Sequence, residues 1–146
     1  MKKYKIGYTT GVFDLFHIGH LNILRRAKEQ CEYLIVGIST DELVLEYKNR
    51  KPVIPFEERK QIVEAIKYVD QVVPQETLDK VDAYMRLKFN ILFQGDDWKN
   101  SSIYSQTIKK FEEMDIDIIC FPYTKETSST LLTQVLNELL EKQGND

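Results

Sequence analysis

The chain has 146 residues, 20 Lys and Arg against 23 Asp and Glu, a net charge of −3 and a hydrophobic share of 42%. That is enough apolar material for one folded core, and too little positive charge for a general nucleic-acid binder. No apolar run approaches the ~20 residues of a membrane span, so no membrane segment is expected.

The elements alternate. Lys5–Thr10 reads as a strand, followed by a glycine-containing turn and a helix over His20–Gln30 with Leu21, Leu24 and Ala27 at helical spacing. Tyr33–Ser39 is a continuous apolar run, the mark of a strand buried on both faces. Thr40–Tyr47 reads as a short helix capped by Ser39 or Thr40. Pro52 and Pro55 punctuate a loop, and Phe56–Lys67 is an amphipathic helix with Ile62, Val63 and Ile66 on one side. Asp70–Val73 is a short strand that Pro74 should end. Thr77–Lys88 is a helix, Asn90–Phe93 a strand, Ser105–Met114 a helix, Asp117–Phe121 the last strand and Ser129–Lys142 the closing helix. Such alternation predicts an α/β fold: a single domain, residues 1–146, with a central parallel sheet flanked by helices.

The opening Met1-Lys2-Lys3-Tyr4-Lys5 leads into a run too short for a signal-peptide core. Cys31 and Cys120 lie far apart without metal-ligand spacing and read as buried thiols in a reducing compartment, pointing to the cytoplasm.

Ligands of such sheets sit beyond the carboxyl ends of the strands, and the chemistry-bearing loops fall there. The only two histidines, His17 and His20, stand together at a helix start after Gly11. A helix start attracts phosphate, and two imidazoles three residues apart can donate into one anion; this suits a triphosphate. Gly11 and Gly19 allow close approach of backbone to ligand. Asp14 either contacts ligand or orients the turn. Lys48, in Glu46–Pro52, is either a solvated charge or the cation bridging two reacting phosphates. Arg59 either returns to the site or forms a surface ion pair. Gly95-Asp96-Asp97-Trp98 follows an apolar strand and reads as a ligand wall or a capped turn. Thr127–Thr130 opens a helix and offers hydroxyls to departing phosphates, a role compatible with plain capping.

Six segments in order carry a family likeness: G-V-F-D-L-F-H-I-G-H at Gly11–His20, S-T-D-E at Ser39–Glu42, E-E-R-K at Glu57–Lys60, Y-V-D-Q-V at Tyr68–Val72, G-D-D-W at Gly95–Trp98 and S-S-T at Ser128–Thr130. Together they resemble the nucleotidyltransferase superfamily marked by an HxGH signature, in its cytidylyltransferase branch, and within that the small bacterial glycerol-3-phosphate cytidylyltransferases. The resemblance implies a Rossmann-like domain, a homodimer, and transfer of CMP from CTP to a phosphorylated alcohol with release of pyrophosphate. CDP-glycerol for a cell wall or capsule polymer would be the product, and Mg²⁺ would be carried mainly by the triphosphate. It makes His17 and His20 catalytic, with Lys48 and Arg59 on the phosphates. Nucleotide contacts would come from Gly11, Val12, Phe13, Gly19, Gly95, Asp96, Asp97, Trp98, Tyr123, Ser128, Ser129 and Thr130, and acceptor contacts from Asp14, Lys48 and Lys67. Three positions depart from the family pattern: Tyr123 replaces an arginine, Lys67 replaces another, and Val12 replaces a threonine. Another polyol or amino-alcohol phosphate as acceptor, an adenylyltransferase of the same fold, and a nucleotide-sensing scaffold are the alternatives.

Overall fold

The structure, a computed structural model, describes residues 2–95, 102–122 and 129–144. Five strands form one parallel sheet in the order β3-β2-β1-β4-β5. They are β1 (Tyr4–Gly11), β2 (Cys31–Ser39), β3 (Gln71–Gln75), β4 (Ile91–Gly95) and β5 (Asp117–Phe121). Between and after them come α1 (Ile18–Gln30), α2 (Asp41–Lys48), α3 (Phe56–Glu64), α4 (Lys80–Leu87), α5 (Ser102–Glu113) and α6 (Ser129–Gly144). This is the expected Rossmann-like α/β architecture.

Strand residues alternate between two apolar layers, as a pleated sheet covered on both faces requires. Leu34, Val36 and Ile38 of β2, with Ile91 and Phe93 of β4, pack against Leu24 and Ala27 of α1 and Val63 of α3. Ile35, Leu92 and Tyr8 point the other way, onto Ala83 of α4 and Phe111 of α5. Gly37 is required by this packing: a Cβ there would collide with the Tyr8 side chain.

Several boundaries differ from the sequence reading. The strand at 71 continues through Pro74 to Gln75, with Pro74 opposite Ile38. It survives because β3 is an edge strand, where a missing N–H can face away from the ladder. The helix expected from Thr77 starts only at Lys80, because the Asp79 carboxylate accepts from the amides of Val81 and Asp82 and sets the cap there. α3 stops at Glu64, and Ile62 is exposed; its buried stripe is Arg59 and Val63. Cys31 is buried, as expected, but Cys120 is only half-buried. Among the described residues no helix is long and apolar enough to cross a membrane.

The chain winds from β1 outward to β3, then returns to the other side of β1 to add β4 and β5. The crossovers therefore diverge between β1 and β4, and this opens a crevice at their carboxyl ends.

Candidate active site

A cleft of about 520 Å³ lies across the carboxyl ends of all five strands, lined by their last residues Gly11, Ser39, Gln75, Gly95 and Phe121. The turn after β1 forms its floor. Phe13 and Leu15 hold φ of 54° and 50° there. These are left-handed conformations that cost a non-glycine residue about 1 kcal/mol or more, so the surrounding contacts must enforce them. Hydrogen bonds to the Asp14 side chain enforce them. Both Asp14 carboxylate oxygens accept backbone amides, from Val53 at 2.8 Å and Ile54 at 2.9 Å. Asp14 thus pins the turn to the loop between α2 and α3; of the two roles open to it in the sequence, this is the one its bonds describe.

His17 and His20 meet in this turn. The sequence reading started the helix at His20, but α1 begins at Ile18 and His17 is its N-cap, with extended backbone (φ −142°). The His17 Nδ1 accepts from the Gly19 amide at 3.0 Å, and the His20 Nδ1 accepts from the His17 amide at 3.2 Å. The two imidazoles thus form a reciprocal capping box, a role usually filled by a hydroxyl and a carboxylate. The consequence is chemical. An Nδ1 that accepts an amide proton carries none, so in each neutral ring the proton sits on Nε2. Burial holds both rings neutral: it lowers the pKa of His17, and it lowers that of His20 to about 3, with His17 adding to the effect. The His20 ring lies 5.3 Å from both Phe13 and Phe16 and 4.0 Å from His17. The result is a preset pair of Nε2–H donors at the cleft. The Gly19 amide, by contrast, is engaged by His17 rather than offered to an anion.

Arg59 does not line the cleft. It is 1% exposed, and its guanidinium donates to Ile54 O at 2.8 Å, Val12 O at 2.7 Å, Ser39 O at 2.8 Å and Asp41 Oδ1 at 2.7 Å. One side chain ties the turn after β1, the end of β2, the start of α2 and the loop before α3. Asp41 also accepts from the Phe56 amide, and Thr40 caps α2 through the Leu43 amide. The S-T-D-E and E-E-R-K segments are therefore two halves of one buried network. The aspartate of Y-V-D-Q-V is structural as well: Asp70 accepts from the Leu34 amide at 2.7 Å and pairs with Lys28. Lys67 is exposed, lies over the Tyr68 ring and does not reach the cleft.

Among the described residues the cations that line the cleft are Lys48, Arg50, Lys51 and Lys80. Lys48 is the last residue of α2, where Asn49 in left-handed conformation ends the helix and leaves the lysine at the mouth. Val12, Phe13, Gly19, Gly95 and Thr130 also line the cleft, and Gln94 donates to Thr10 Oγ1 at 2.9 Å beside them. Asp96, Asp97, Trp98, Tyr123 and Ser128 lie outside the described residues, and Ser129 is described only as the first residue of α6. Lys80 was missed by sequence reasoning. The signal was Asp79: as a helix cap it would have placed Lys80 at the first turn, beside the cleft, rather than inside a helix from Thr77. Among the described residues no three His, Cys, Asp or Glu side chains gather as a metal cage, and Asp14, the one carboxylate lining the cleft, is held by amides.

Residues 8–135 match the family model described as cytidylyltransferase-like. The chain is 35% identical over 127 residues to the glycerol-3-phosphate cytidylyltransferase of Bacillus subtilis (strain 168), covering 86% of this chain and 92% of that one. It is 34% identical over 137 residues to the enzyme of the same name from Staphylococcus aureus (strain NCTC 8325 / PS 47), covering 93% and 96%. Among solved structures, a lipopolysaccharide core biosynthesis protein from Thermoplasma volcanium GSS1 shares the fold, with a TM-score of 0.69 at 22% identity over 85% of this chain and 99% of that one. A pantoate-beta-alanine ligase from Francisella tularensis shares it too, with a TM-score of 0.62 at 18% identity over 88% and 65%. With the family model spanning most of the chain and relatives alike along nearly their whole length, this chain belongs to the cytidylyltransferase-like family.

Proposed function

We propose that the protein transfers the cytidylyl group of CTP to the phosphate of glycerol 3-phosphate, giving CDP-glycerol and pyrophosphate. The observation that carries a transfer reaction is the His17–His20 pair, two neutral Nε2–H donors preset in a cation-lined cleft. The names of the relatives support the choice of CTP and glycerol 3-phosphate.

In this reading a phosphate oxygen of the acceptor attacks the α-phosphorus of CTP. A new P–O bond forms, the bond from the α-phosphorus to the bridging oxygen breaks, and pyrophosphate leaves with the electron pair. No covalent enzyme intermediate is needed, so positioning and charge stabilisation supply the rate. His17 and His20 donate to the α- and β-phosphate oxygens as charge grows there. Lys48 bridges the acceptor phosphate and the α-phosphate. Arg59 acts at one remove, by holding the turn that carries the histidines. Gly95 flanks the nucleoside end, with Asp96–Trp98 and Tyr123 assigned to it from sequence, while Ser128–Thr130 are assigned to the departing phosphates. Mg²⁺ enters this reading with the triphosphate, whose charge it would neutralise.

The same reading carries a homodimer of single-domain subunits working in the cytoplasm. Leu131, Val135, Leu136, Leu139 and Leu140 of α6 are exposed, apolar surface that assembly would cover. Light scattering at micromolar concentration tests this, and a monomer mass refutes it.

The deciding experiment is pyrophosphate release from CTP or ATP with glycerol 3-phosphate, with the product identified by mass. CDP-glycerol from CTP supports the reading. Release from ATP alone would mark an adenylyltransferase. CTP binding with no turnover against phosphorylated polyols or amino alcohols would mark a nucleotide sensor.

A further inference from the structure

Lys80 is a buried cation facing the cleft with nothing in the described chain to pair with. It is 4% exposed and lines the cleft at the start of α4. Its ammonium makes no hydrogen bond or ion pair among the described residues. The adjacent Asp79 has turned its carboxylate to the amides of Val81 and Asp82, and acts on Lys80 only through its charge. Burial brings the Lys80 pKa down to about 8, so the ammonium is retained at neutral pH. A lysine whose stem is buried while its ammonium, unpartnered among the described residues, opens on the cleft is placed to meet a ligand there.

Its place in the sheet says which group. In the proposed reaction the nucleoside end is assigned to Gly95, at the end of β4, and the histidines follow β1 in the middle of the sheet. Lys80 opens α4 after β3, the opposite edge strand, which lies two strands or about 10 Å from β1 at the spacing of neighbouring strands. That separation leaves room for the reacting phosphate over β1 and a short tail reaching toward β3. Beside Lys80 the ends of β2 and β3 supply Ser39, whose hydroxyl donates to Gln75 Oε1 at 3.1 Å. The Gln75 amide nitrogen has no partner among the described residues, and it lies on the same side of the cleft.

We propose that Lys80 is the specificity-determining residue for the acceptor, selecting a phosphorylated alcohol whose tail carries hydroxyls and no positive charge. This rests on the transfer reaction proposed above. Lys80 and Gln75 both donate, and hydroxyl oxygens accept from both. An ammonium-bearing tail would instead meet the Lys80 charge at close range. It would find no anion in compensation, because Asp14, the one carboxylate among the described lining residues, is occupied by the Val53 and Ile54 amides.

The test measures kcat/KM of the full chain with saturating CTP for glycerol 3-phosphate, phosphoethanolamine and phosphocholine. The wild type should prefer glycerol 3-phosphate by on the order of 100-fold. Lys80→Met should raise the KM for glycerol 3-phosphate by about 10-fold, leave the KM for CTP unchanged, and cut the discrimination against phosphoethanolamine by about 10-fold. Lys80→Arg should keep the discrimination. Lys80→Gln, neutral but polar, serves the same purpose if the methionine variant does not fold. Unchanged discrimination in a folded neutral variant, a KM effect confined to CTP, or a wild type that uses the ammonium-bearing acceptors equally well overturns the role of Lys80 alone. No pyrophosphate from the wild type with any of the three acceptors fells the transfer reaction itself, and the role of Lys80 with it.

Discussion

Replacing Arg59 by methionine should destabilise the protein by about 3–5 kcal/mol, the cost of removing one partner from a buried ion pair and leaving its acceptors unmet. The structure supports the upper part of that range for this side chain. Its guanidinium is fully buried, and four bonds of 2.7–2.8 Å end with it. The carbonyls of Val12, Ser39 and Ile54 would lose a charged donor, while Asp41, 30% exposed, keeps partial access to water. At about 2–4 °C per kcal/mol for a chain of this size, the melting temperature should fall by roughly 10 °C. Arg59→Lys keeps the charge but not the planar fork that reaches four segments at once, so it should cost about half as much. Asp41→Asn should cost only ~1 kcal/mol, because that carboxylate is partly solvated. Urea denaturation followed by circular dichroism measures all three, and titration with CTP reports binding by the folded fraction. An Arg59→Lys protein as stable as the wild type that no longer binds CTP would refute the scaffold role, for then the guanidinium reaches the nucleotide.

Three further outcomes follow from the cleft. His17→Asn keeps an N-cap acceptor but loses the Nε2–H donor, so stability should stay within ~0.5 kcal/mol of wild type while kcat falls on the order of 10²-fold; near-normal turnover would remove His17 from the chemistry. His20 is held neutral in the folded protein down to about pH 3, whereas in the unfolded chain it gains a proton below its ordinary 6.5. The unfolded state therefore binds more protons between those values, and stability should drop by about 1 kcal/mol per pH unit on acidification below 6.5; urea melts at pH 7 and 5 should show a smaller drop in His20→Gln, and an equal drop would refute this. Lys48→Ala should impair turnover and acceptor KM while CTP affinity measured by calorimetry holds, and unchanged steady-state kinetics would assign Lys48 to an inert surface.

The sequence alone determined the alternation of strands and helices, because burial on a parallel sheet writes continuous apolar runs and helical stripes that are local in the chain. It also determined where the chemistry would gather, since the loops after the strands must open on one edge of such a sheet. The histidine pair was legible because its cap geometry needs only residues 17–20. What only the tertiary structure decided is which polar side chains face ligand and which face protein. Arg59 and Asp14 both looked like ligand-binding candidates, yet their partners lie 47 and 39 residues away, at Val12 and Val53. Lys80 looked like an ordinary helical lysine until the Asp79 cap and the end of β3 enclosed it. No periodicity records such choices: they depend on which carbonyls and amides the folded sheet brings within hydrogen-bonding distance, and a charged group in a dry interior must turn toward them.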